Sequence, residues 1–135
     1  MRHDSRTLSA PAIIVSDLDQ ERLTGLATAA LNRVPEVAQE LLGELARATV
    51  VTAEKLPPAV VRMGSTVEFL SDGGAKARVT LVYPGEADIA EGRVSILTPV
   101  GAALIGLSEG QTIVSSRRDG RELHLTVLSV ARAGG

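Results

Sequence analysis

The apolar residues of this chain change their period once, and that change divides what the chain can fold into. Up to about residue 48 they recur at helical spacing; from Val60 onward they alternate or come in short blocks. Leu23, Leu26, Ala27, Ala30 and Leu31 form one helical stripe, and Val37, Ala38, Leu41, Leu42 and Leu45 form a second. Such a stripe is the apolar face of an amphipathic helix. Glu36, Glu40, Glu44 and Arg47 mark the wet face of the second helix. Between the stripes stand Asn32, Arg33, Val34 and Pro35. Asn32 suits a left-handed residue closing the first helix, and Pro35 suits the first turn of the next. Helices joined by so short a turn must run antiparallel. Each arm of about 14 residues would span roughly 21 Å at 1.5 Å per residue. Ser16-Asp17-Leu18-Asp19 precedes the first stripe, so Ser16 or Asp17 can accept bonds from the free N–H groups at the helix start. Asp17, Asp19 and Glu21 complement the positive end of the helix dipole. Ile13-Ile14-Val15, just upstream, reads equally as a short strand or as an anchoring arm.

The second region begins after a break. Thr49-Val50-Val51-Thr52 is β-branched throughout, and Leu56-Pro57-Pro58 cannot continue a helix. Thr66 to Leu70 and Lys76 to Tyr83 alternate around Asp72-Gly73-Gly74, which predicts a β-hairpin. Val94 to Leu97 predicts a short strand, and Pro99 opens a helix over Val100 to Ile105. Gln111 to Ser115 and Arg121 to Val130 are the last strands. The expected fold is α+β: a flexible tail over 1–12, a short antiparallel helical hairpin over 13–52, and a mostly antiparallel β-sheet domain with one short helix over 59–132. The strands from Val60 to Val130 are expected to close a core of their own.

Composition removes several function classes. Cysteine is absent, which excludes disulfides, thiolate metal sites and cysteine nucleophiles. His3 and His124 are the only histidines, too few for zinc or non-haem iron chemistry. Phe69 and Tyr83 are the only aromatic residues, a poor supply for stacking nucleobases or lining a ring-walled pocket. The formal net charge of -2 argues against a globally basic nucleic-acid binder, so direct nucleic-acid binding is expected to be weak or absent. No apolar run approaches the roughly 20 residues of a membrane helix. Met1 to Ala10 is polar and lacks the apolar stretch of a secretory signal, so the expected compartment is the cytoplasm. No Gly-rich run ends in Gly-Lys-Ser/Thr, so no P-loop is present.

The most informative segment is Val94 to Val130, with Thr98-Pro99, Leu104-Ile105-Gly106 and Gly110-Gln111 in order. It resembles the C-terminal domain of the Gre transcript-cleavage factors: a strand, a Ser/Thr-Pro-initiated helix ending in Leu-Ile-Gly, a turn and two strands. Leu81-Val82-Tyr83-Pro84, Ile13 to Asp19 and Thr98 to Leu107 look most like the Rnk family, regulators of nucleoside diphosphate kinase, within that superfamily. The resemblance covers about Ala12 to Val130. It implies an FKBP-like fold for the C-terminal domain and docking at the rim of the RNA polymerase secondary channel. In Gre factors a long coiled-coil hairpin presents two acidic residues that help hold a catalytic magnesium, for which oxygen ligands are the natural choice.

This chain departs from that pattern, since between its arms only Glu36 is acidic and Arg33 stands beside it. No catalytic residue, cofactor or metal is expected. The implied activity is a non-enzymatic transcription regulator that binds RNA polymerase near the secondary channel. It would compete with Gre-type factors without stimulating cleavage. The alternative is a protein-interaction module acting on nucleoside diphosphate kinase. Prolyl isomerisation, suggested by fold alone, has no aromatic pocket to support it. Candidate partner-binding residues are Asn32, Arg33 and Glu36 at the hairpin tip. In the C-terminal domain they are Thr98, Pro99 and the basic residues Arg117, Arg118 and Arg121. His124, Asp72 and Asp119 read as strand and turn residues, and Glu86 and Asp88 as a solvated loop.

Overall fold

The computed structural model describes residues 11–116 and 120–132. Arg117 and Arg118, named above as candidate contacts, lie outside the described residues, as do His3 and Asp119.

Strand β1 (Ile14–Ser16) leads directly into helix α1 (Asp17–Ala29), and α2 (Pro35–Arg47) returns to β2 (Thr49–Val51). β1 and β2 pair in parallel, Ile14 opposite Thr49. The helices form the expected hairpin. Ser16 caps α1, its hydroxyl accepting from the Asp19 N–H at 3.1 Å, and Pro35 occupies the first turn of α2. Asn32 does not adopt the expected left-handed conformation, for no described non-glycine residue has positive φ. Instead Ala30 closes α1 in a right-handed conformation. The chain then reverses through successive tight turns, with the Arg33 and Val34 N–H groups both donating to the Ala30 carbonyl. A run of turns spreads the reversal, so no single residue carries it.

The second region holds β3 (Ser65–Leu70), β4 (Lys76–Val82), β5 (Arg93–Ser95), α3 (Pro99–Leu104), β6 (Thr112–Ser116) and β7 (Glu122–Arg132). They build a five-stranded sheet in the order β5-β4-β3-β7-β6. All neighbours are antiparallel except β5, which runs parallel to β4. Ser65, Val67 and Phe69 on β3, and Leu125 and Val127 on β7, turn one face of the sheet inward. A bulge opposite Glu68 and Phe69 lets β7 keep both Val127 and Val130 on that face. α3 is buried along its length from Gly101 to Leu104. A Cβ on Gly101 would stand 2.4 Å from the Ser95 carbonyl oxygen, so only glycine lets the helix lie this close to the β5 end.

The core is not divided where the hydrophobic period changes. Ile13, Val15, Leu23, Ala27, Leu41 and Leu45 belong to one continuous cluster with Val61, Leu81, Ile96, Leu104, Ile105, Leu107 and Leu125. Helix α2 packs on α3. In the whole chain, the core of the strands from Val60 to Val130 is continuous with that of the hairpin. The reason is geometric: α3 is sheathed by the sheet on one side and needs α2 on the other. Of Ile13 to Val15, which reads as strand or arm, Ile14 and Val15 fall in β1, and Ile13 and Val15 are almost wholly buried. Pro11 and Ala12, expected in a flexible tail, accept hydrogen bonds from Arg47 and Gln111.

Candidate functional site

A groove of about 640 Å³ opens between the start of α3 and the inward face of the sheet. Phe69 from β3, Val79 from β4, Leu123 from β7, and Val94 and Val100 from β5 and α3 supply apolar walls. Ile89, 79% exposed, stands with them from the loop before β5. Asp72, Arg121 and Glu122 add the charged groups. An apolar floor with charged groups beside it can receive an apolar group from a partner.

Thr98 and Pro99 line this groove, but their chemistry is spent on the fold. The Thr98 hydroxyl donates to the Ser95 carbonyl at 2.7 Å and accepts from the Gly101 N–H at 3.1 Å, which caps α3. Pro99 occupies the first turn, where its missing N–H costs nothing. The two residues therefore shape the wall and offer a partner no free side-chain donor. Arg121 lines the same groove and already has an interaction within the protein. Of the residues named from sequence, the structure thus brings Thr98, Pro99 and Arg121 together. Asp72 does more than make a turn, since its carboxylate accepts the His124 backbone N–H at 3.1 Å and ties the β3–β4 turn to β7. His124 itself is exposed and pairs its ring with Glu122 at 3.1 Å. Among the described residues no group of three His, Cys, Asp or Glu is placed to hold a metal ion.

None of the tip residues lines this groove. Asn32 and Arg33 are exposed on the turn between the helices, while Glu36 is half-buried and not free. A single carboxylate at the turn gives a hard cation neither the charge nor the oxygens it requires. A second pocket, about 370 Å³, sits between the start of α1 and the sheet, with Arg22 and Arg62 matched by Asp19 and Glu86. Asp19 there accepts the Met63 N–H at 3.2 Å, which ties the helix start to the sheet domain. With two charges of each sign, this pocket selects neither anion nor cation.

Sequence reasoning missed Ile89. It sits among Glu86, Asp88 and Glu91 in a segment that reads as solvated loop, and a lone exposed isoleucine between acidic residues was the available signal.

Comparison with known proteins places both regions. The family described as Transcription elongation factor, GreA/GreB, C-term matches residues 56–132, and Rnk N-terminus matches residues 11–51. The chain is 40% identical over 125 residues to the regulator of nucleoside diphosphate kinase of Escherichia coli (strain K12), covering 91% of each. It is 40% identical over 91 residues to transcription elongation factor GreA of Nitratidesulfovibrio vulgaris, covering 67% of this chain and 56% of that one. Among solved structures, a prokaryotic transcription elongation factor GreA/GreB from Nitrosomonas europaea superposes with a TM-score of 0.69 at 40% identity, covering 90% of this chain and 98% of that one.

Proposed function

Because this chain belongs to the Rnk family, whose C-terminal domain is of the GreA/GreB type, we propose that it is a non-catalytic transcription regulator acting on RNA polymerase. It binds near the secondary channel and competes with Gre-type elongation factors for that place. It does not stimulate transcript cleavage. The observation that carries this reading is the hairpin tip. Cleavage through a polymerase-held magnesium requires carboxylates delivered to the active centre, and Asn32 and Arg33 are what the tip exposes. The arms add a second reason, for 13 residues per helix give only about 20 Å of reach at 1.5 Å per residue.

Docking falls to the sheet domain. The groove beside Thr98 and Pro99 supplies apolar contact area, and Ile89 is the residue that would insert into a partner. Arg121 and Glu122 lie among that groove's lining, where charge steers encounter more than it adds affinity. The partner residues Asn32, Arg33 and Glu36 would then face the mouth of the channel. Such a protein works in the cytoplasm, with the polymerase. Among the described residues no helix is long and apolar enough to cross a membrane.

The test uses backtracked elongation complexes given this protein, a Gre factor, or both. The expected result is no cleavage with this protein alone and a dose-dependent loss of Gre-stimulated cleavage when both are present. Cleavage by this protein alone would overturn the argument from the tip. Undiminished Gre-stimulated cleavage at large excess would remove the shared docking place. The second reading, an interaction module acting on nucleoside diphosphate kinase without polymerase, is favoured by what the Escherichia coli relative is called. A pull-down that recovers the kinase and no polymerase subunit would establish it.

A further inference from the structure

The segment Pro11 to Ser16 lies between the hairpin and the sheet domain, and its backbone bonds both in alternation. The Pro11 carbonyl accepts from the Arg47 guanidinium at the end of α2. The Ala12 carbonyl accepts from the Gln111 side chain of the sheet domain at 3.1 Å. The Ile13 carbonyl accepts the Thr49 N–H, back on the hairpin side, at 2.9 Å. The Ile14 N–H donates to the Gly106 carbonyl of the sheet domain at 3.1 Å. An extended chain points successive groups to opposite sides, so one short strand serves two neighbours at once. Its side chains act likewise, for Ile13 and Val15 sit in the cluster that joins Leu41 and Leu45 to Leu104 and Leu107.

The seat for this strand is shaped to its backbone. Gly106 has φ of +81°, and a Cβ there would stand 2.9 Å from the Ile13 Cβ and 3.1 Å from the Ile14 carbonyl oxygen. Any side chain at this position would both strain the turn and push the strand away. Two further hydrogen bonds, both partly buried, join the hairpin to the sheet domain away from this strand. Ser115 donates to Glu40 at 2.7 Å, and Asp19 accepts the Met63 N–H.

We propose that Pro11 to Ser16 is a latch that holds the hairpin and the sheet domain as one rigid body. The hairpin then has a single direction relative to the groove, and a partner that takes the groove meets the tip in a predetermined place. Opening the latch frees the hairpin to pivot about the contact between α2 and α3 while each part keeps its own hydrogen bonds. The inference concerns the free protein and stands whether or not the partner is RNA polymerase.

Because the chain has no cysteine, spin labels go only where cysteines are introduced. Gln39→Cys on α2 and Lys76→Cys on β4 are both at exposed positions. Pulsed electron resonance between these labels in the full chain is expected to give one narrow distance distribution. The same pair carrying Gly106→Ala is expected to give a broadened or shifted distribution with helical circular dichroism retained. Where Gly106→Ala does not fold, the double variant Arg47→Ala with Gln111→Ala removes one clasp on each side without crowding the strand. It should broaden the distribution at least twofold. A broad distribution in the unaltered chain overturns the proposal, as does an unchanged narrow one in every folded latch variant.

Discussion

The hairpin and the sheet domain solve the same burial problem with opposite economies. Helices α1 and α2, 13 residues each, bury one stripe and leave the rest in water; α2 hides Ala38, Leu41 and Leu45 only. Helix α3 is six residues long, yet Gly101, Ala102, Ala103 and Leu104 are all buried. The hairpin can therefore change its surface and its tip at little cost, while the sheet domain can change almost nothing around α3 without repacking. Identity of tip residues is free to record function, and identity around α3 records the fold. This is why a chain can keep a GreA/GreB type of domain and carry a tip without paired acids.

The sharpest way to break that comparison is at the contact it depends on. Gly101→Val would drive a side chain into the Ser95 carbonyl and Ile96 backbone, neither of which is a flexible end. Overpacking of this kind typically costs about 1–3 kcal/mol, and contact with backbone should place it at or above the top of that range. Thermal melts that shift by only a degree or two would show α3 to be more loosely held than its burial implies.

Leu41→Ala on α2 and Leu104→Ala on α3 come next, each expected to cost about 2–5 kcal/mol because both side chains are fully buried. The instructive readout is not the size but the number of transitions. Tyr83 is the only tyrosine and tryptophan is absent, so fluorescence reports on the sheet domain, while far-ultraviolet dichroism is dominated by the hairpin helices. A shared core predicts coincident transitions for both probes in both variants. Separation of the two curves in Leu41→Ala would restore two independent units divided between 52 and 59.

A cap should matter less. Thr98→Ala removes the hydroxyl that closes the start of α3, for an expected loss of about 1 kcal/mol. Urea midpoints measured against the unaltered chain check this. Ile89→Asp should leave stability within about 0.5 kcal/mol, since its side chain is exposed. It should nevertheless weaken polymerase binding roughly tenfold, a change of about 1.4 kcal/mol. Unchanged binding would move docking away from the groove. The smallest expected effect is at the tip. Asn32→Asp with Arg33→Glu supplies acids but no reach, so it should neither unfold the chain nor confer cleavage on backtracked complexes. Cleavage by that variant would show the hairpin to be long enough after all.

Much of this was readable before any fold was known. The stripes at Leu23 to Leu31 and Val37 to Leu45 became α1 and α2, because an amphipathic period leaves a helix only one way to face a core. Asp72-Gly73-Gly74 turned β3 into β4, because glycine accepts the positive φ values that both Gly73 and Gly74 show. Thr98-Pro99 opened α3, because an oxygen cap followed by a residue without an N–H is a helix start. Asn32 misled, since a residue able to take a left-handed conformation need not be asked to. The groove was half legible: Thr98, Pro99 and Arg121 were named as separate contacts, while Phe69, Val79 and Leu123 read simply as core positions on their strands.

What the sequence determined alone was therefore local: period, caps, turns, the absence of cysteine chemistry, and a tip without paired acids. Each rests on interactions within a few residues, where spacing and side-chain type suffice. What only the tertiary structure decided was which surfaces share water and which share a core. Ile13 to Val15 and Thr49 to Val51 are both short β-branched runs that differ by one threonine, yet Ile13 and Val15 are buried and the second run lies at the edge, with Val50 47% exposed. Gly106, more than 90 residues away in the chain, contributes to the difference, for its missing side chain leaves room for Ile13 and Ile14. Burial depends on what long-range folding brings alongside, and no local pattern carries that.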